Sequence, residues 1–298
     1  MTVAPVPPAP SGPIASGPLL EIVNVSKTFP VGGFPARRRT VLEKVSFSLS
    51  AGEIVALVGE SGSGKSTLAR IVARLEKADA GELKLEGADV FRTEPRHASL
   101  AYRARVQMVF QDPFASLNPV HRVSHHLARP LLLHGRAQPA DVGARVNDLL
   151  ESVGLSPAAE FAERHPHSLS GGQRQRVAVA RALAAGPKVI VADEPTSMLD
   201  ASTRVGVLDL LRRLVRERGI AILLITHDLA TARHLADRVV VLAGARVVEQ
   251  GPTAQVFESP AHAYTRQLIE ASRAARAAAP ALPSGDVAAA HLFLGKRD

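Results

Sequence analysis

Residues 59–67, GESGSGKST, have the spacing G-x-x-x-x-G-K-[ST] of a phosphate-binding loop, set between a β-branched run (EIVALV) and a helical pattern (STLARIVARL). Gly59, Gly62 and Gly64 let the backbone wrap closely round phosphate oxygens, with Glu60, Ser61 and Ser63 filling the turn. In such a loop Lys65 reaches the β- and γ-phosphates of a nucleotide, Ser66 a Mg2+ ion and Thr67 the α-phosphate. A second stretch, KVIVADEP, drives four apolar residues through a core and delivers Asp193 and Glu194 at the carboxyl end of a strand, where open α/β sheets bind ligands. Asp193 is placed to hold Mg2+ through water, and Glu194 to accept a proton from a water attacking the γ-phosphate. A third stretch, SLSGGQRQRVAVARAL (residues 168–183), opens a helix on Ser170, Gly171, Gly172 and Gln173. Exposed N–H groups and the positive dipole end make such a helix start an anion site. Residues 59–67 already serve the chain's own nucleotide, so this second half-site is predicted to face the nucleotide of a neighbouring subunit.

A sheet has to hold these stretches. LLEIVNVSKTF and TVLEKVSFSLS alternate apolar and polar residues, which predicts half-buried antiparallel strands. EIVALV, KVIVAD and AILLIT are short apolar runs, predicted as parallel strands covered on both faces and joined by right-handed helical crossovers. Between residues 111 and 170 the texture changes to helical patterns punctuated by Pro and Gly, so a helical insertion is expected over about 112–169. After Val240 come two short strand-like pieces, a helical stretch (SPAHAYTRQLIEASRAARAAA) and an Ala/Pro/Ser-rich tail. The Pro/Ala/Ser/Gly content of residues 1–18 cannot pack a core and reads as a disordered leader.

With 298 residues, 46% of them hydrophobic, the chain can bury a sizeable core. The absence of cysteine excludes disulfide frameworks, thiolate zinc sites and iron–sulfur ligation, so nothing here requires an oxidising compartment. Its longest apolar runs, such as GIAILLIT, fall short of the roughly 20 residues of a membrane helix. A net charge of +8 invites nucleic-acid or anionic-membrane readings. The arginines, among them Arg37, Arg38, Arg39, Arg103, Arg105, Arg174, Arg176, Arg212 and Arg213, are spread along the chain and interleaved with acids. A solvated basic surface, with no nucleic-acid partner, is therefore expected.

Together with LSGGQ at 169–173, this ordered set of motifs resembles that of the ATP-binding-cassette ATPases, over residues 19 to about 251. The resemblance implies an α/β fold: a P-loop ATPase with a mixed core sheet, an antiparallel β subdomain and the inserted helical subdomain, followed by a C-terminal extension over 252–298. It implies that Phe29 stacks on adenine, that Gln111 is the Q-loop glutamine near Mg2+ and the lytic water, and that SMLD (197–200) is the D-loop carrying Asp200. His227, after a buried strand, stands where the family has its switch histidine, aimed at the γ-phosphate beside Glu194. Met198 departs from the alanine commonest in the D-loop, which alters packing at the seam between subunits and keeps Asp200. Catalysis is then expected of Glu194, His227, Gln111 and Lys65, and metal binding of Ser66, Gln111 and Asp193. ATP is expected to lie between residues 59–67 of one subunit and Ser170, Gly171, Gly172 and Gln173 of a second.

VQMVFQDPFASLNP (106–119) resembles the segment after the Q-loop in ATPases of peptide-type bacterial importers. SPAHAYTRQLIEA (259–271) resembles the C-terminal signature of the same branch, with Ala263 where proline is usual. The resemblance implies an ATP- and Mg2+-dependent subunit, peripheral on the cytoplasmic face of the membrane. Its implied partners are a second ATPase subunit, identical or different, transmembrane permease subunits and, indirectly, an extracytoplasmic solute-binding protein. Oligopeptides or dipeptides are the expected cargo, with oligosaccharide, nickel and opine as alternatives. Two rivals are an exporter ATPase and an ATPase acting on DNA or ribosomes; against the latter stands the absence of coiled-coil insertions, zinc cysteines and a second cassette.

Overall fold

Side chains on a strand alternate between its two faces, so a strand that is apolar at every position must be covered on both. β3 (Ile54–Val58), β7 (Val189–Asp193) and β8 (Ala221–Ile225) are buried at every residue. The computed structural model describes residues 17–32, 37–95 and 97–278; the expected leader, save Gly17 and Pro18, and the tail beyond residue 278 lie outside them. β6 (Val106–Val109), β7, β8, β3 and β9 (Arg238–Ala243) run parallel, and β10 (Arg246–Pro252) closes the edge antiparallel, in the order β10-β9-β3-β8-β7-β6. A second, wholly antiparallel sheet has the order β2-β1-β4-β5, from β1 (Leu20–Val31), β2 (Arg37–Leu49), β4 (Ala80–Leu85) and β5 (Ala88–Asp89). The chain thus has the mixed core sheet and the antiparallel subdomain expected of it.

The alternation divides the core in two. Ile54, Ala56, Val58, Ile190, Ala192, Ile222 and Leu224 face the helices Gly171–Leu183 and Ala201–Arg218 and the helical insertion. Val55, Leu57, Val189, Val191, Leu223 and Ile225 face the helix Lys65–Val72 and the antiparallel sheet. The insertion consists of helices at Pro113–Ser116, Val123–Leu133, Val142–Ser152 and Ala158–Glu163, and no strand occurs between Val109 and Val189 among the described residues. Leu127, Leu131, Leu150 and Phe161 anchor it to the first of the two cores.

The reading of the arginines as solvated surface is corrected at two positions. Arg174 is only 3% exposed; its Nε donates to Pro166 O at 2.8 Å and its Nη2 to Leu169 O at 2.9 Å. Arg176 donates to Val153 O at 2.6 Å and to Gly206 O at 3.1 Å. Both guanidinium groups serve carbonyls outside their own helix, which a rigid multi-donor fork does well, so their charge is structural.

Helix Gly171–Leu183 comes so close to the first turn of helix Ala201–Arg218 that a Cβ at residue 172 would lie 2.0 Å from Thr203 Cγ2. Gly172→Ala is therefore expected to lower stability by about 1–3 kcal/mol through overpacking, although alanine favours helices by up to about 1 kcal/mol. Thr203→Ser removes the methyl and keeps the hydroxyl that donates to Asp200 Oδ2, so the double variant should recover most of the loss in urea unfolding. An unchanged midpoint in the single variant, or no recovery in the double, would contradict this packing.

Candidate functional site

The phosphate loop leaves β3 under tight constraint. Gly59 has φ 152° and a Cβ there would sit 2.2 Å from Leu242 O; Gly64 has φ 109° and a Cβ would sit 2.4 Å from Val41 O. Side chains are excluded at both ends of the turn, and Gly64 opens helix Lys65–Val72 with no side-chain cap, so the first-turn N–H groups stay available to an anion. Lys65, 6% exposed, folds back over the loop: its Nζ donates to Gly59 O and Glu60 O at 2.8 Å each, and to Ser63 Oγ at 3.4 Å. Burial lowers the Lys65 pKa, and the charges of Glu194, Asp193 and Glu60 oppose that shift. Ser61 and Gly62 are exposed at the tip, and Thr67 is half-buried on the helix.

The strand order then lines up the remaining groups. β8 lies between β3 and β7, and β6 follows β7, so the loop after β3, His227 after β8, Asp193 and Glu194 at the end of β7, and Gln111 after β6 stand side by side at the carboxyl ends of four neighbouring strands. Asp193 is 8% exposed, and its Oδ1 accepts from Ser66 Oγ at 3.3 Å. Burial pushes the Asp193 pKa up; the Ser66 hydrogen bond and the Arg70 and Lys65 charges pull the other way, while the Glu194 charge adds to the rise.

Glu194 occupies the left-handed region, φ 46°, at a cost of roughly 1–3 kcal/mol, and its N–H donates to Ile225 O at 2.9 Å. That turn aims its carboxylate between two partners. Oε2 accepts from Gln111 Nε2 at 2.9 Å, and Oε1 lies 2.8 Å from His227 Nδ1. A carboxylate accepts only, so Nδ1 carries the proton and Nε2 is left for another partner. His227 is itself steadied by its neighbours: Thr226 Oγ1 accepts from Asp228 N, and Asp228 caps helix Leu229–Leu235 through Ala230 N and Thr231 N.

Ser66, Asp193 and Gln111 supply only hard oxygen donors suited to Mg2+, and the buried Asp193 carboxylate is a group that a cation would compensate. No group of three or more His, Cys, Asp or Glu is poised to hold a metal among the described residues.

At the other predicted half-site, Ser170 caps helix Gly171–Leu183 in a capping box: Ser170 Oγ accepts from Gln173 N at 3.2 Å and Gln173 Oε1 accepts from Ser170 N at 3.0 Å. Leu199 packs on Gly171, and Thr203 on Gly172. Asp200 caps the next helix, its carboxylate accepting from Thr203 N, Thr203 Oγ1 and Ser202 Oγ, which hold its pKa well below the usual range. Phe29 is half-buried at the end of β1, with the Lys27 ammonium 4.9 Å from its ring centroid.

Two groups beside the site escaped the sequence reading. Asp228 directly follows His227, and an Asp opening a helical pattern is a legible cap signal. Tyr264 comes from the C-terminal segment, 204 residues from the loop it touches, and no local pattern places it there.

The family described as ABC transporter matches residues 42–197. The chain is 45% identical over 258 residues to the glutathione import ATP-binding protein GsiA of Escherichia coli (strain K12), an overlap of 85% of this chain and 41% of that protein. It thus spans about two fifths of the length of that relative. It is 42% identical over 258 residues to the dipeptide transport ATP-binding protein DppF of Haemophilus influenzae, covering 86% of this chain and 78% of that one. A solved structure described as a dimeric post-hydrolysis state of the ATP-binding cassette MJ0796 bound to ADP and Pi matches with a TM-score of 0.69 at 31% identity, over 78% of this chain and 98% of that one. Fold, phosphate loop and sequence agree, and the chain belongs to the ABC transporter family as an ATP-binding cassette.

Proposed function

We propose that this chain binds ATP on residues 59–67, hydrolyses it within a closed pair of cassettes, and drives uptake of a small peptide through a separate membrane permease. Glu194 carries the reading: both its carboxylate oxygens are held, by Gln111 and by His227, next to Asp193 and the phosphate loop. A water between Glu194 and the γ-phosphorus gives its proton to the carboxylate as its oxygen bonds to phosphorus. The bond to the ADP oxygen breaks, and ADP and inorganic phosphate leave. Lys65 brings its charge to the β- and γ-phosphates, and the loop N–H groups cradle them. Mg2+, held by Ser66, Asp193 and Gln111, supplies neutralisation of phosphate charge when bound. Phe29 offers its ring to adenine.

Ser170, Gly171, Gly172 and Gln173 of one cassette, backed by Asp200, close over the nucleotide of the other, which is the same chain or a related one. Closure is favoured because only the closed pair contacts the nucleotide from both sides. The dimeric state of the MJ0796 cassette supports this arrangement. Residues 19–251 form the cassette, 112–169 the arm that meets the permease, and 252–298 an extension. A groove of ≈ 540 Å³ between β6 and helix Val123–Leu133, lined by Phe110, Leu133 and Arg129, is the place for a cytoplasmic permease helix. No described helix is long and apolar enough to cross a membrane. The chain sits on the cytoplasmic face through its partners, as the import relatives named above suggest. The names of the glutathione and dipeptide relatives favour a short peptide, delivered outside by a solute-binding protein.

Glu194→Gln is expected to retain ATP, to lose turnover by about 10²–10⁴-fold, and to accumulate as a nucleotide-locked dimer on size exclusion. Turnover equal to the wild type would refute the role of Glu194. Ser170→Arg should abolish hydrolysis while the monomer still binds ATP in a direct titration; loss of monomer binding counts against a site shared by two subunits. Isolation from native membranes should bring down a permease whose vesicles take up a labelled dipeptide only with ATP inside, and uptake of another solute class alone would overturn the cargo.

A further inference from the structure

Both backbone polar groups of Glu60 are held. Lys65 Nζ donates to its carbonyl at 2.8 Å, from the helix that the loop opens. The Glu60 N–H donates to Tyr264 Oη at 3.1 Å, and Tyr264 stands on the first turn of helix Ala263–Ala278. The two grips behave differently when phosphate arrives. Phosphate oxygens compete for the same ammonium donors that hold Gly59 O and Glu60 O, whereas the Tyr264 hydroxyl is an acceptor brought to the Glu60 N–H by a separate helix and does not depend on the ammonium.

Tyr264 is not a dangling contact. Its ring packs against the large core, and it shares a recess of ≈ 400 Å³ with Arg39, Thr40 and the loop residues Glu60 to Ser63. The segment before it is clamped to β10: Glu249 accepts from Ala261 N at 2.8 Å and His262 N at 3.0 Å, and His262 Nδ1 accepts from Tyr264 N at 3.1 Å. Burial and the Glu60 charge raise the phenol pKa, so the hydroxyl stays neutral at working pH.

We propose that Tyr264 is a positioning residue of the nucleotide site, which holds the Glu60 peptide so that the loop keeps its phosphate-accepting shape while Lys65 turns to ATP. The C-terminal segment is thereby part of the site. This rests on the reading of residues 59–67 as the ATP loop.

The test uses the full chain with Mg2+ and ATP, measuring Kd, KM, kcat and Tm. Tyr264→Phe removes one hydroxyl and is expected to raise Kd and KM roughly three- to tenfold, with kcat within about twofold and Tm unchanged. Glu249→Ala, which frees the segment without touching the loop, should shift Kd in the same direction, and adding Tyr264→Phe to it should change little further. Wild-type Kd and KM in the Phe variant overturn the inference, and so does a lowered Tm with unchanged Kd. Lys65→Ala separates the two levels: wild-type ATP affinity there sinks the ATP-loop reading itself, whereas its loss beside an indifferent Phe variant sinks only the role of Tyr264.

Discussion

A strand covered on both faces can carry almost no charge along its length, because each buried ion loses several kcal/mol of hydration. β3, β7 and β8 obey this throughout, with Asp193 the exception at the final position of β7. Polar chemistry is thereby pushed to the strand ends. Parallel direction puts the carboxyl ends on one side of the sheet, and the pairing of β3 with β8 and of β8 with β7 brings loop, histidine and carboxylates within reach of one another.

Local devices then fix each group. The left-handed turn at Glu194 would be unfavourable alone; its N–H bond to Ile225 O and the two bonds to its carboxylate hold it in place. Strain of this kind persists where the surroundings over-determine it. Asp200 and Asp228 cap the helices that follow the carboxylates and the histidine, and Arg204 lies 3.4 Å from Asp228, joining those helices. Lys65 satisfies the loop's own carbonyls. The site is thus ordered by internal hydrogen bonds.

The positive charge of the chain shows how composition can mislead about individual residues. Spread arginines are a fair sign of a solvated surface, and Arg212, Arg213 and Arg105 make exposed contacts of that kind. Arg174 and Arg176 have the same appearance in sequence, one and three residues after the Gln173 cap. They are drawn in because the packed helix brings them to carbonyl groups of other elements, Pro166 and Leu169 for the one and Val153 and Gly206 for the other. Helical position alone does not reveal where those carbonyls are.

What the sequence by itself determined was everything local in origin. The glycine spacing of the phosphate loop, the helix start at Ser170, the apolar runs of β3, β7 and β8, and the helical texture of residues 112–169 follow from backbone sterics and hydrophobic period, which neighbours in the chain decide. The family resemblance added roles for Phe29, Gln111, Asp200 and His227. Only the tertiary structure decided that β8 inserts between β3 and β7, that Gln111 and His227 meet on one glutamate, that Thr203 leaves room for nothing larger than glycine at residue 172, and that Tyr264 reaches back to Glu60. Those contacts join residues far apart in the chain. The free energy that selects them comes from burying the whole sheet and its covering helices at once, and no short stretch of sequence encodes that sum.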